Sequence, residues 1–175
     1  MSGIPDAVAA EHADLVAAVD GLVERYGNQR RALLPVLEGL REQHRQLDDV
    51  TMQVVADRLG IAPVDVEGVV TFYHFLGTEP TGRHTLHICR TISCALAGMG
   101  AIVKRLENET GIKMRQTTPD GAVTLEWANC IGMCDEAPGM LVDRKAMGRV
   151  TPDDACAIVA SLRDEVAAAA TAGAN

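Results

Sequence analysis

HICRTISC (87–94) and WANCIGMC (127–134) are the two stretches on which the reading of this chain turns. In each, an apolar, strand-like run passes into a short loop that carries two cysteines. Cys89 and Cys94 have C-x4-C spacing; Cys130 and Cys134 have C-x3-C spacing. Two loops with two thiols each can close on one small inorganic centre. Four thiolates satisfy a [2Fe–2S] cluster, and the spacing favours that reading. Structural zinc also takes four thiolates, and this spacing permits it. Dithiol redox chemistry would want C-x-x-C, which the sequence lacks. The opening MSGIPDAVAAEHADL has no basic start, apolar core or cleavage site, so no secretory leader is expected. A reducing cytoplasm then disfavours structural disulfides. Cys156 stands apart on the apolar stripe Ala155, Ile158, Val159, Leu162 and Val166, where a lone cysteine is expected to be a buried small hydrophobe rather than a ligand.

The rest of the composition narrows the function by exclusion. A chain of 175 residues with 47% hydrophobic and 23% charged residues fits one globular domain with a helical extension. No apolar run reaches the length of a membrane span, so direct membrane insertion is not expected. A net charge of −8 argues against nucleic acid as a partner. Aromatic residues make up 3%, too few for stacking on bases or sugars to be the main activity. There is no G-x-G-x-x-G fingerprint, P-loop or G-x-S-x-G elbow, hence no catalytic residue to nominate. A small electron carrier without a substrate pocket serves a larger partner.

Periodicity divides the chain near Pro80. Upstream, 1–80 reads as a small helical bundle. Leu15, Val16, Val19, Leu22 and Val23 mark a helix ending near Gly27; Leu33, Leu34, Val36, Leu37 and Leu40 mark another, with Pro35 in its first turn. Asp49 is placed as the cap of a third helix through Met52, Val55, Ala56 and Leu59 to Gly60, and Pro63 and Asp65 open a fourth that runs into Phe72–Phe75. Downstream, 81–167 alternates. Strands are expected at His84–Cys89, Ile112–Thr117 and Val123–Trp127, and a helix through Met99, Ile102, Val103 and Leu106 to Gly111. Met140–Val142 and Gly148–Val150 read as a final hairpin before a helix at Thr151-Pro152-Asp153, and 168–175 as a frayed tail.

Around the cysteines, Gly98, Gly100 and Gly132 either bring backbone amides close to sulfur or merely turn the chain. Asp135 and Glu136 follow Cys134 directly. One such charge about 8 Å away, at an effective dielectric of about 20, opposes reduction by about 2 kcal/mol, on the order of 90 mV for one electron. A low potential is therefore expected. His84 and His87 lie on opposite strand faces; only His87 shares a face with Cys89, so mixed His/Cys ligation is disfavoured. His74 is expected to pack on a helix, and His12 and His44 to face solvent.

Beyond these local signals, EGVVTFYHFL (67–76), GRHTLHICRTISC (82–94), TTPDGAVTLEWANCIGMCDEAPGMLVD (117–143) and RVTPD (149–153) resemble the small iron–sulfur subunit of NADH dehydrogenases, the 24-kilodalton subunit family of respiratory complex I. The likeness covers roughly 30–165. It implies an α/β architecture: a thioredoxin-like [2Fe–2S] ferredoxin domain preceded by the helical arm. One cluster would be held by Cys89, Cys94, Cys130 and Cys134, the first two on one iron and the last two on the other. It further implies a larger NADH-binding flavoprotein partner carrying FMN, the NAD site and a [4Fe–4S] cluster, with the arm clasping that partner in the cytoplasm at the inner face of the membrane. The chain is similar as well to gamma and diaphorase subunits of NAD-dependent formate dehydrogenases and of NAD-reducing or bifurcating hydrogenases. From a different class, a metal-stapled structural or assembly module would use the same thiols without electron transfer.

Overall fold

The molecule, a computed structural model, is described over residues 10–172, and the chain separates into two compact units, Met1–Pro80 and Thr81–Asn175.

The first unit is helical: α1 (Ala13–Tyr26), a 3-10 turn (Arg30–Ala32), α2 (Leu33–His44), α3 (Asp49–Leu59) and α4 (Pro63–Phe72). Its core joins one face of each helix, through Val19 and Leu22, Val36, Leu37 and Leu40, Val54 and Val55, and Val66 and Val70. Pro35 occupies the first turn of α2, and Gly60 closes α3 in the left-handed conformation. The cap of α3 is Asp48 rather than Asp49. Asp48 has extended backbone and its Oδ1 accepts from Thr51 N at 2.8 Å, whereas Asp49 is already helical. An N-cap carboxylate of this kind contributes about 1 kcal/mol.

The aromatic run after α4 also departs from expectation. The helix stops at Phe72, Tyr73 turns extended, and Leu76 N bonds to Tyr73 O, which returns Leu76 to the core. His74 and Phe75 are left exposed, so His74 does not act as a helix-packing residue. His44 is exposed as expected; His12, at the N-cap position of α1, is half-buried.

The second unit is a five-stranded sheet with helices. It comprises β1 (His84–Cys89), α5 (Ile92–Leu96), α6 (Met99–Thr110), β2 (Gln116–Thr117), β3 (Val123–Ala128), a 3-10 turn (Cys134–Glu136), β4 (Met140–Val142), β5 (Lys145–Met147) and α7 (Pro152–Ala172). The strand order is β2-β3-β1-β4-β5. β1 and β3 are parallel, in register from His84 opposite Val123 to Cys89 opposite Ala128; the other pairings are antiparallel. Leu86, Ile88, Val123, Leu125 and Met140 share one face and bury it with Ile102 and Leu106 of α6 and Ala155 and Val159 of α7.

Three expected boundaries move. β2 is two residues long rather than spanning Ile112–Thr117: Arg115 takes a positive φ of 68°, and Lys113 N bonds to Gln116 Oε1 instead of to a strand. β5 is Lys145–Met147 rather than Gly148–Val150. Asp143, at φ 53°, starts a tight turn that brings the chain back immediately, and Val150 N bonds to Pro138 O instead of joining the sheet. α7 continues to Ala172, well into the stretch expected to fray, because its alanines are strong helix formers; 173–175 lie outside the described residues.

Asp120, in the turn before β3, ties this unit together. Its carboxylate accepts from Thr118 Oγ1, from Ala122 N at 3.0 Å and from Arg163 Nε of α7 at 2.8 Å. Together these bonds hold its pKa down to about 2. A depressed carboxylate contributes stability that is present above its unfolded pKa and lost as pH falls through the folded value. Asp120→Asn is therefore expected to lower stability near neutrality and to remove the dependence between pH about 4 and about 2. The pair is exposed, so the loss stays near about 1 kcal/mol; denaturation across that pH range checks it.

Candidate iron–sulfur centre

Cys89 ends β1, and Cys130 lies two residues beyond β3. Because β1 and β3 are adjacent and parallel, both cysteine loops leave the sheet at the same end, beyond the C-termini of the two strands. Cys89 and Cys94 are buried, at 1% and 2% exposure, and Cys130 and Cys134 are exposed. The Sγ atoms of Cys130 and Cys134 are 3.9 Å apart. Two thiolates on one tetrahedral metal ion with bonds of about 2.3 Å stand about 3.8 Å apart, so this pair suits shared ligation. Among the described residues no group of three or more His, Cys, Asp or Glu side chains is drawn close enough together to hold a metal ion.

The two loops are tied to each other. Arg90 N bonds to Ala128 O at 3.0 Å, and Arg90 Nε and Nη2 donate to Asn129 Oδ1 at 3.2 and 3.1 Å. The Cys89 thiol donates to Asn129 O at 3.2 Å. Gly132, at φ 80°, makes the turn inside CIGMC that a residue with a Cβ would adopt only with strain.

Electrostatics differ among the thiols. Burial opposes ionisation of Cys89, but bonds from the Thr91 hydroxyl and from the Thr91 and Ile131 amides outweigh it and lower its pKa. Burial pushes Cys94 up against the Gly139 amide, and negative charge on Cys89 and Cys134 adds to the rise. Cys134 is raised by its hydrogen bond to Cys130 and by that neighbour's charge, against the Ser93 hydroxyl. Such a set resists ionising together until a cation neutralises it, which is how metal binding comes to release protons.

Known proteins resemble this chain in sequence and in fold. The thioredoxin-like [2Fe-2S] ferredoxin family matches residues 19–163. The chain belongs to that family. This ferredoxin is 35% identical over 153 residues to the E subunit of the NADH-quinone oxidoreductase of Mycobacterium tuberculosis (strain ATCC 25618 / H37Rv), covering 87% of its own length and 61% of the relative's. It is 36% identical over 145 residues to the E subunit numbered 2 of the Rhizobium meliloti (strain 1021) oxidoreductase, covering 83% and 86%. To the E subunit of Escherichia coli (strain K12) it is 35% identical over 136 residues, covering 78% and 82%. A chain of the air-oxidised NAD+-reducing [NiFe]-hydrogenase shares the fold, with a TM-score of 0.69 at 23% identity over 80% of the ferredoxin and 24% of that chain. The ferredoxin thus spans about three-fifths of the mycobacterial relatives and about a quarter of the hydrogenase chain. No helix among its described residues is long and apolar enough to cross a membrane.

Other sequence expectations fare unevenly. Cys156 is only half-buried on α7; burial raises its thiol first, with Arg105 and Glu109 of α6 close enough to act on it. His84 pairs its Nδ1 with Asp143 Oδ2 at 2.8 Å. Glu136, expected to add negative field, has its Oε1 3.7 Å from Arg149 Nη2, which offsets part of that charge. Sequence reasoning passed over Thr91, Ser93, Asn129 and Gly139 as neighbours of the sulfurs. The first two stand inside the C-x4-C loop, where hydroxyl residues could have been noticed. The last two act through folding alone.

Proposed function

We propose that this ferredoxin is an electron-transfer subunit of an NADH-oxidising complex, with Cys89, Cys94, Cys130 and Cys134 holding one [2Fe–2S] cluster. The observation that carries the reading is the convergence of two loops, each with two thiols, at the C-terminal end of the parallel β1–β3 pair. The cluster would supply one-electron redox chemistry, and its formal charge would move from −2 to −3 on reduction. The protein's part is to fix the four sulfurs, screen the buried pair from water and offer amides and hydroxyls to the sulfurs. Arg90 and Asn129 hold the loops at a constant separation, so that little reorganisation accompanies the change in charge. Nothing in the chain binds an organic substrate in this reading. The electron comes from FMN on a larger flavoprotein that also carries the NAD site and a [4Fe–4S] cluster, and the helical unit 1–80 docks there, in the cytoplasm. Identities of 33–36% to E subunits of NADH-quinone oxidoreductases favour a complex I-type parent.

Anaerobic purification followed by iron, sulfide and zinc analysis and EPR after dithionite reduction tests this. Two irons and two sulfides per chain with an S = 1/2 signal are expected. One zinc per chain, with no signal after attempted cluster reconstitution, would leave a structural module and overturn the proposal. Co-purification with an FMN-containing chain from native extracts tests the partner.

A further inference from the structure

Thr91 stands at the N-cap of α5, with φ −78° and ψ 164°, and its carbonyl accepts the first helical bond, from Ala95 N at 2.9 Å. Threonine at such a position ordinarily turns its hydroxyl to the free amides of the first helical turn. Here the side chain makes no cap bond. Its Oγ1 instead lies 3.2 Å from Cys89 Sγ.

We infer that Thr91 is a positioning residue that raises the reduction potential of the centre by donating its hydroxyl proton to the Cys89 sulfur. This rests on the cluster reading above. In the free thiol, Cys89 also donates to Asn129 O. Ligation removes that S–H, so the sulfur becomes an acceptor only and Thr91 must be the donor. One electron enters from the flavin of the partner, no bond is made or broken, and the proton stays on Thr91. A donor aimed at the sulfur favours the more negative, reduced state, and a hydrogen bond to a charged acceptor is stronger than one to a neutral acceptor.

The test compares full-length wild type, Thr91→Val and Thr91→Ser, each purified anaerobically. The readouts are iron and sulfide content, thermal melting and an EPR-monitored redox titration. Thr91→Val is expected to keep its cluster while its reduced-to-oxidised ratio at a fixed potential falls about threefold to tenfold, a negative shift of about 30–60 mV for one electron. Thr91→Ser, which keeps the hydroxyl, is expected to titrate with wild type. A loaded Thr91→Val with an unchanged midpoint overturns the inference. So does a potential shift of equal size in Thr91→Ser, which would make the methyl group responsible. Should Thr91→Val fail to fold, Thr91→Ala removes the same hydroxyl with less bulk and is read identically. A wild type without iron and sulfide would instead sink the cluster reading on which this stands.

Discussion

Cys130→Ala is expected to fold as wild type does yet lose iron and sulfide by at least about tenfold. Even outer-sphere partners of a metal site are worth about 10–100-fold in affinity, and a direct ligand is worth more. This position separates ligation from folding. Cys130 is exposed, so its removal opens no cavity, whereas Cys89 and Cys94 belong to the core and their loss would damage packing as well. Cys156→Ala, on α7, is expected to leave the metal content and visible spectrum unchanged. Metal analysis with melting curves on both variants decides the matter. A loaded Cys130→Ala beside an empty Cys156→Ala would mean that the ligands have been misassigned.

Gly148→Ala is expected to destabilise the second unit by about 1–3 kcal/mol and to speed cluster loss to a chelator. A Cβ at 148 would sit 2.5 Å from Glu136 Cβ and 2.9 Å from Glu136 O. The carbonyl cannot withdraw easily, because it accepts from Arg149 N at 2.6 Å. The strain therefore falls on the 3-10 turn Cys134–Glu136, which carries one of the four thiols. Gly100→Ala on α6, where an added Cβ meets nothing within 4 Å, is the control and is expected to be neutral or mildly stabilising. Urea denaturation measures the first effect, and iron release to a chelator the second.

The contrast between Gly148 and Gly132 shows what the sequence could disclose. Gly132 sits inside the cysteine motif and is visible at once. Gly148 looks like an ordinary strand residue until folding brings it against Glu136. The same division runs through the fold. β1, β3, α6 and the apolar faces of α2 and α3 follow from periods of 2 and 3.6 residues, which are local properties. The parallel pairing of β1 with β3 is not local, yet that pairing brings the cysteine loops together. Where neighbours compete for one role, as Asp48 and Asp49 do for the cap of α3, backbone geometry decides and composition does not. β5 shifted because the Asp143 turn is tighter than the apolar pattern implied, and the chain left α4 after Phe72 as Leu76 returned to the core. At the site, the four thiols were legible because ligand spacing is written along the chain. The hydrogen bonds that shape them, from Gly139 and between Arg90 and Asn129, come from segments that meet only in three dimensions.

The parallel register of β1 and β3 fixes where each cysteine pair starts, with Cys89 opposite Ala128. Residues 95–122 are thus a closed excursion that departs from one strand and returns to its neighbour. Their length does not set the separation of the two pairs; the width of one strand spacing does, about 4.8 Å. Insertions or deletions in that excursion, between α6 and β2 above all, should be tolerated without disturbing the centre, whereas one residue added inside either cysteine loop should not. The architecture thereby splits the chain into lengths free to drift and lengths that are held.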